Sequence, residues 1–490
     1  MSFELFRDEL ANLPKENRWV RMGDSLPWDK LERVYNRKLN NAHTGAGNKS
    51  ARVVIGALLI KHKMRLSDVE TIEAIRENPY MQYMLGFEKF TTGSAFDPSL
   101  FVTIRKRLGV DDINSFTELL MKDAKDTPKP DEDKDGNGHD NENKGESAHP
   151  THGGTLKIDA TCCDSEVKYP TDLDLLHDGC RILERVLDRF CHVSGIARPN
   201  TNWTSIHKTY SAVIKKKVKP KKQLARCTEY LIHMLSKNIG TALELIGSQT
   251  TDKFMSLRRS DVRVFLTTIA MLKQQKEMFR SGVHRIADRI VSIFQSHVRP
   301  IVRGKSKARV EFGAKIGASI VKGYTFVDHH SWDAYNESED LMTHLRKYKA
   351  RFGMLPRLVE ADKIYLNKQN RRILRLLHIE VGGKPLGRPP KDSEPTNGLM
   401  AKYIGERNEI EAAFGTGKRV YGANNIRAKL PDTGASWAAL CFFAKNAMKF
   451  LRDLLLWLFE TASRAFDRSK LLNWLTPMSN PYGFAGRQIQ

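Results

Sequence analysis

The chain reads as an α/β core interrupted by a large helical insertion and preceded by a small all-helical region. Three observations predict this. Residues 123–154 contain no large apolar side chain, and Asp123 to Pro150 hold nine acids against four lysines. Such a composition cannot bury enough surface to order itself, so the chain divides there into 1–122 and 155–490. Before the divide the text breaks into short stretches with helix start and stop signals. After it the order is strand, helices, hairpin, helix, strand, helix, strand, helix, which is the alternation of an α/β domain.

In the first region Ser67-Asp68-Val69-Glu70 has capping-box spacing ahead of Ile72 and Ile75. Asn78-Pro79 opens a second short helix that Gly86 can close, and Asp97-Pro98 opens a third, SLFVTIRKRL, stopped by Gly109. Arg105 and Arg107 stand near its end. Compact short helices suit either a helix-turn-helix-like DNA reader, with Arg105 and Arg107 on phosphates, or a plain dimerisation domain. The linker makes the region an independent module in either case.

After the divide, TLKIDATCCDSEVKY reads as a mostly buried strand, and helical periodicity fills about 171–300. RVEFGAKIGASIVKGYTFVDHHS reads as a hairpin turning near Lys322-Gly323. The helix SEDLMTHLRKYKARFG, the strand RLVEAD, the helix LNKQNRRILRLL and the strand HIEV follow. Two helices, about 400–414 and 434–458, complete the core, with 461–490 as a tail.

Forty percent of the 490 residues are hydrophobic, enough for a core, and no apolar run reaches the roughly 18 residues of a membrane span. The six cysteines show no C-x-x-C spacing, which argues against a disulfide scaffold or a zinc site and for a reducing compartment. Lys plus Arg number 80 against 57 acids, a formal charge of +23, and a chain this basic is expected to meet a polyanion. Lys215, Lys216 and Lys217 open a basic run suited to phosphate contacts or to a solvated loop. Gly387-Arg388-Pro389 resembles the core of an AT-hook, with Arg388 as the minor-groove reader.

Three acids carry the chemical signal. Asp159 lies within an apolar strand, where a carboxylate needs an ion pair, hydrogen bonds or a metal. Asp362 ends the strand RLVEAD, where open α/β sheets place ligands, although capping of the next helix is the simpler role. Arg407, Glu411 and Lys418 share one face at about 100° per residue, as a salt-bridged stripe or as a metal carboxylate beside phosphate contacts.

Taken with KIDATCCDSEVKYPTDLDLLHDG, VEFGAK, SWDAYNE, LVEADKIYLNKQN, PLGRPPK and RNEIEAAFGTGKRVYGANNIRAKL, and with RVVIGALLIKHKMRLSDVETIEAIRENPYMQYMLGF at the start, the sequence resembles bacterial insertion-sequence transposases of the DDE class. That resemblance implies a ribonuclease H-like catalytic domain over 155–460, an N-terminal helical DNA-binding domain over 1–122, and Asp159, Asp362 and Glu411 as the triad. The family's Tyr-Arg-Glu-Lys signature is met by Arg407, Glu411 and Lys418, with Tyr403 one position early. It further implies two Mg²⁺ ions (Mn²⁺ as a substitute) held by the triad, and double-stranded DNA as partner, both transposon ends and target. A homodimer in a synaptic complex and a cytoplasmic, nucleoid-associated location complete the expectation. Two other readings stay open: a non-catalytic DNA-binding descendant, and a ribonuclease H-like nuclease without strand transfer.

Overall fold

The structure is a computed structural model and describes residues 10, 12–39, 47–124, 152–249, 257–302, 310–383 and 397–475. The acidic linker falls almost wholly outside these, as does Arg388.

The first region holds seven helices: α1 (Arg18–Ser25), α2 (Trp28–Asn36), α3 (Ala51–Met64), α4 (Asp68–Glu77), α5 (Pro79–Met84), α6 (Leu100–Arg107) and α7 (Val110–Asp123). The capping box forms as the sequence predicts: Glu70 N–H donates to Ser67 Oγ, and Ser67 N–H donates to the Glu70 carboxylate. Asn78 caps α5 through the Met81 N–H, with Pro79 in the first turn. Gly109, expected to stop α6, serves as the N-cap of α7. Helix α3 is buried all round from Val54 to His62, the mark of a central helix. Its buried Lys61 is offset by Asp68 at 2.9 Å and the Leu66 carbonyl.

The sheet comprises β1 (Thr155–Asp164), β2 (Arg299–Val302), β3 (Val310–Val321), β4 (Tyr324–Ser331), β5 (Leu358–Ala361) and β6 (Glu380–Gly382). In space the order is β4-β3-β1-β5-β6, with short β2 continuing the β4 edge of β3. β3 runs antiparallel to β1, while β5 and β6 run parallel to it. This is the ribonuclease H-like order: a meander on one side of the first strand and two parallel strands on the other. The hairpin turns at Lys322 and Gly323, both at positive φ, as a two-residue type I′ turn requires.

Between β1 and β2 run α8 (Asp172–Ser194), α9 (Trp203–Ile214), α10 (Lys221–Gly247) and α11 (Arg259–Ser281), packed around an apolar core of their own. After the hairpin come α12 (Leu341–Phe352), α13 (Lys368–Leu376), α14 (Asn397–Arg419) and α15 (Pro431–Leu475). Both late helices outrun their predicted ends, and α15 extends into the stretch expected to be a tail.

One expectation from the sequence does not survive. Helices α1–α7 are no free module, because their core is continuous with that of the sheet and α15. Phe116 of α7 packs on Phe443 of α15. The outward edge of β4 is closed by two asparagines. Asn114 pairs with both backbone groups of Val327, and Asn446 with both of Thr325. Sequence periodicity shows that a helix has an apolar face but not which distant segment covers it.

Candidate active site

Successive strand side chains alternate between faces, and pairing fixes which acids meet. Lys157 pairs with Glu360 and Ile158 with Ala361. The pairing ends there, with β5, and continuing the register by one residue would bring Asp159 of β1 level with Asp362, the residue just past β5, on the face shared by Lys157 and Glu360. Lys157 Nζ confirms which face this is, lying 3.8 Å from Glu360 and 2.7 Å from Glu409 of α14. Asp159 accepts the Ala160 N–H at 2.8 Å, and Asp362 accepts the Lys363 N–H at 2.7 Å.

Asp362 does not cap the following helix. A turn intervenes, in which the Tyr365 and Leu366 N–H groups donate to the Asp362 carbonyl, and Asn367 is the N-cap of α13. The simpler role weighed for Asp362 therefore belongs to another residue.

Helix α14 lies along β1 with Ile410, Ala413, Phe414 and Gly417 buried. Glu409 and Glu411 flank this stripe on opposite sides, roughly 200° apart at about 100° per residue. Contacts identify the two flanks. Glu409 faces Lys157 and the hairpin turn, where its carboxylate lies 3.2 Å from the position a Gly323 Cβ would take. Burial brings the neighbouring Lys445 ammonium down to about 8, with Glu409 opposing that shift. Helical geometry turns the exposed Glu411 the other way, toward the β5 side where Asp362 stands. Glu411 is also about 3 Å further along the axis than Glu409, close to one strand residue, which brings it from the level of Lys157 toward that of Asp159. Lys418, half-buried, lies far enough along for its charge to act on the Cys162 thiol.

The three carboxylates are not drawn into one tight cluster. Among the described residues the group whose ligand atoms all lie within 4.8 Å of one another is Cys162, Asp164 and Glu311. Sequence reading missed this trio, because Glu311 reaches it only through the pairing of β3 with β1. Burial, first of all, and then the neighbouring Cys163, Glu311 and Asp164 push the Cys162 thiol strongly up. A thiol held protonated is a poor metal ligand. Asp159, Asp362 and Glu411 offer oxygen donors from rigid elements, the donor set that Mg²⁺ or Mn²⁺ takes.

Of the expected DNA contacts, Lys215, Lys216 and Lys217 are exposed between α9 and α10. Arg105 is not available: it is buried and doubly hydrogen-bonded to Asp68. Arg107 donates to the Tyr35 hydroxyl at 2.9 Å. Arg407 lies on α14. Trp332 packs edge-on against His297 and His330.

Two family models match. Residues 7–107 match a transposase domain (DUF772) and residues 359–446 a transposase DDE domain. The second spans Asp362 and Glu411, whereas Asp159 lies outside both matches. A protein of Rhizobium meliloti, described as "Uncharacterized protein ORF8 in nfe locus", is 28% identical over 183 residues, which is 37% of this chain and 79% of that one. No solved structure matches.

Proposed function

Since the chain belongs with the DDE transposases of insertion sequences, we propose that it binds the terminal inverted repeats of its element, cleaves there and joins the 3′ ends to target DNA. Asp159, Asp362 and Glu411 are the proposed metal ligands. The observation that supports this reading is the parallel register of β1 and β5 up to Ile158 and Ala361, the residues directly before two acids about 200 residues apart in sequence.

Asp159, Asp362 and Glu411 would hold two Mg²⁺ ions, which when bound would supply activation of the attacking oxygen and stabilisation of the leaving one. The chain's own part is to hold the ligands rigidly. Asp159 sits on a central strand, Asp362 at the start of a turn, and Glu411 on a helix anchored to the sheet by its buried stripe. Arg407 and Lys418 are proposed to hold the DNA backbone beside the cut, and Lys215–Lys217 to hold it farther off. The division into 1–122, an acidic linker over 123–154 and a catalytic part over 155–460 is proposed as one of sequence regions that share a core rather than of free modules, and a homodimeric synaptic complex and a place on the nucleoid are proposed too. No described helix is long and apolar enough to cross a membrane.

The test is Mg²⁺-dependent cleavage of end DNA by Asp159→Ala and Asp362→Ala, with DNA binding measured alongside. Both variants lose cleavage and keep binding. Cleavage near the wild-type rate by either one overturns the triad.

A further inference from the structure

Two helix ends far apart in sequence bring cations together with no carboxylate between them. Arg65, just past the end of α3, donates to the carbonyl of Arg419, the last residue of α14, at 3.2 Å. Lys63 sits 5.3 Å from the centre of the Tyr421 ring. Arg18 of α1 touches Met64 at 3.4 Å. Burial, and next the charge of Arg18, lower the Lys63 pKa. Among the described residues none of Arg18, Lys63, Arg65 and Arg419 has an acidic partner.

The helix dipoles account for part of this. Each C-terminus carries about half a negative charge, so two ends supply about one against four cations. The remaining positive charge is a standing repulsion that a polyanion would relieve. The backbone adds a second sign. Arg65 has φ +59, the left-handed conformation that usually belongs to glycine at a helix end. A charged side chain kept there is held against local preference. Arg419 also lies eight residues past Glu411, about 12 Å along the helix. That is three to four nucleotides at about 3.4 Å per step.

We propose that Arg18, Lys63, Arg65 and Arg419 form a phosphate-binding seam that grips duplex DNA beside the candidate active site, through the backbone and without reading bases. The seam deepens the transposase reading and rests on it. It also makes the DNA interface composite, since neither α1–α3 nor α14 carries it alone.

Arg65→Gly is the discriminating variant, because glycine suits the left-handed position and the fold is kept. Binding of the full chain to a random-sequence duplex is measured without metal over a salt series, for Arg65→Gly and for Arg65→Gly with Arg419→Gln. The slope of log affinity against log salt should fall by about 0.9 for each cation removed, with the melting temperature of Arg65→Gly at or above wild type. Wild-type affinity and slope in Arg65→Gly overturn the seam, and that single variant decides if the double one does not fold. The readout is metal-free binding, so it is separate from cleavage. A seam variant that binds normally refutes the seam and leaves the triad standing; an Asp159→Ala protein that still cleaves refutes the triad and leaves the seam to its own test.

Discussion

Exchanging Glu411 and Glu409 in turn for glutamine asks which flank of α14 works on DNA. Glutamine keeps volume and hydrogen bonding and removes one charge. At Glu409 the loss is the 2.7 Å pair with Lys157, whose Glu409 side is 41% exposed. Screened pairs of that kind contribute at most about 1 kcal/mol. Lys157 also keeps Glu360 at 3.8 Å, so Glu409→Gln should lose little stability and little activity. At Glu411 the fold loses no buried packing, because the side chain is exposed. Even groups one step removed from a metal are worth about 10–100-fold, so if Glu411 is the ligand proposed above its loss should cost more than about a hundredfold. The assay is single-turnover cleavage of end DNA with Mg²⁺, paired with thermal melts. A large loss with Glu409→Gln and none with Glu411→Gln would refute the assignment of flanks and the triad's third member together.

Asn114→Ala strips partners from two backbone groups of buried Val327; at about 1–3 kcal/mol for each unsatisfied group, urea unfolding should show a loss of at least about 2 kcal/mol, and a loss near zero would mean the edge does not depend on α7. Asp328 is fully buried between His344 at 2.7 Å and Arg351 at 2.6 Å. Burial alone would raise its carboxyl, but Arg351 and then His344 outweigh burial and bring it down from 3.8 to about 2. A depressed carboxyl stabilises fully above its unfolded value and loses that contribution as pH falls through the folded one. That is worth roughly 2 kcal/mol, lost between about pH 4 and pH 2. The stability gap between wild type and Asp328→Asn should narrow over this window, and a constant gap would refute the charged network.

The strands, the hairpin turn at Lys322-Gly323 and the capping box at Ser67 were legible because each is written in a few adjacent residues. Asp159 and Asp362 stood out as acids in apolar strands, but their relative level depends on how β1 pairs with β5, which no local pattern encodes. Helical geometry alone separated Glu409 from Glu411, while the lysine that meets Glu409 is 252 residues away. Arg105 was misread for a similar reason. Its run of basic neighbours suggests a surface, and only the folded chain brings Asp68 against it. The cap of α13 lay five residues past Asp362 because a tight turn separates strand from helix, and turns of that kind leave little trace in periodicity.

The two asparagines on β4 have a bearing on how the chain is made. Asn114 emerges from the ribosome 213 residues ahead of Val327, and Asn446 emerges 121 residues behind Thr325. The rim of the sheet therefore waits, half finished, until synthesis has passed Asn446. A product broken off before α15 would carry that rim bare, together with the apolar flank of α7 that Phe443 otherwise covers. Such fragments are open to strand-to-strand aggregation. Quality control of this protein is thus tied to α15, and a change that stops synthesis ahead of that helix should remove the protein rather than leave a stable shortened one.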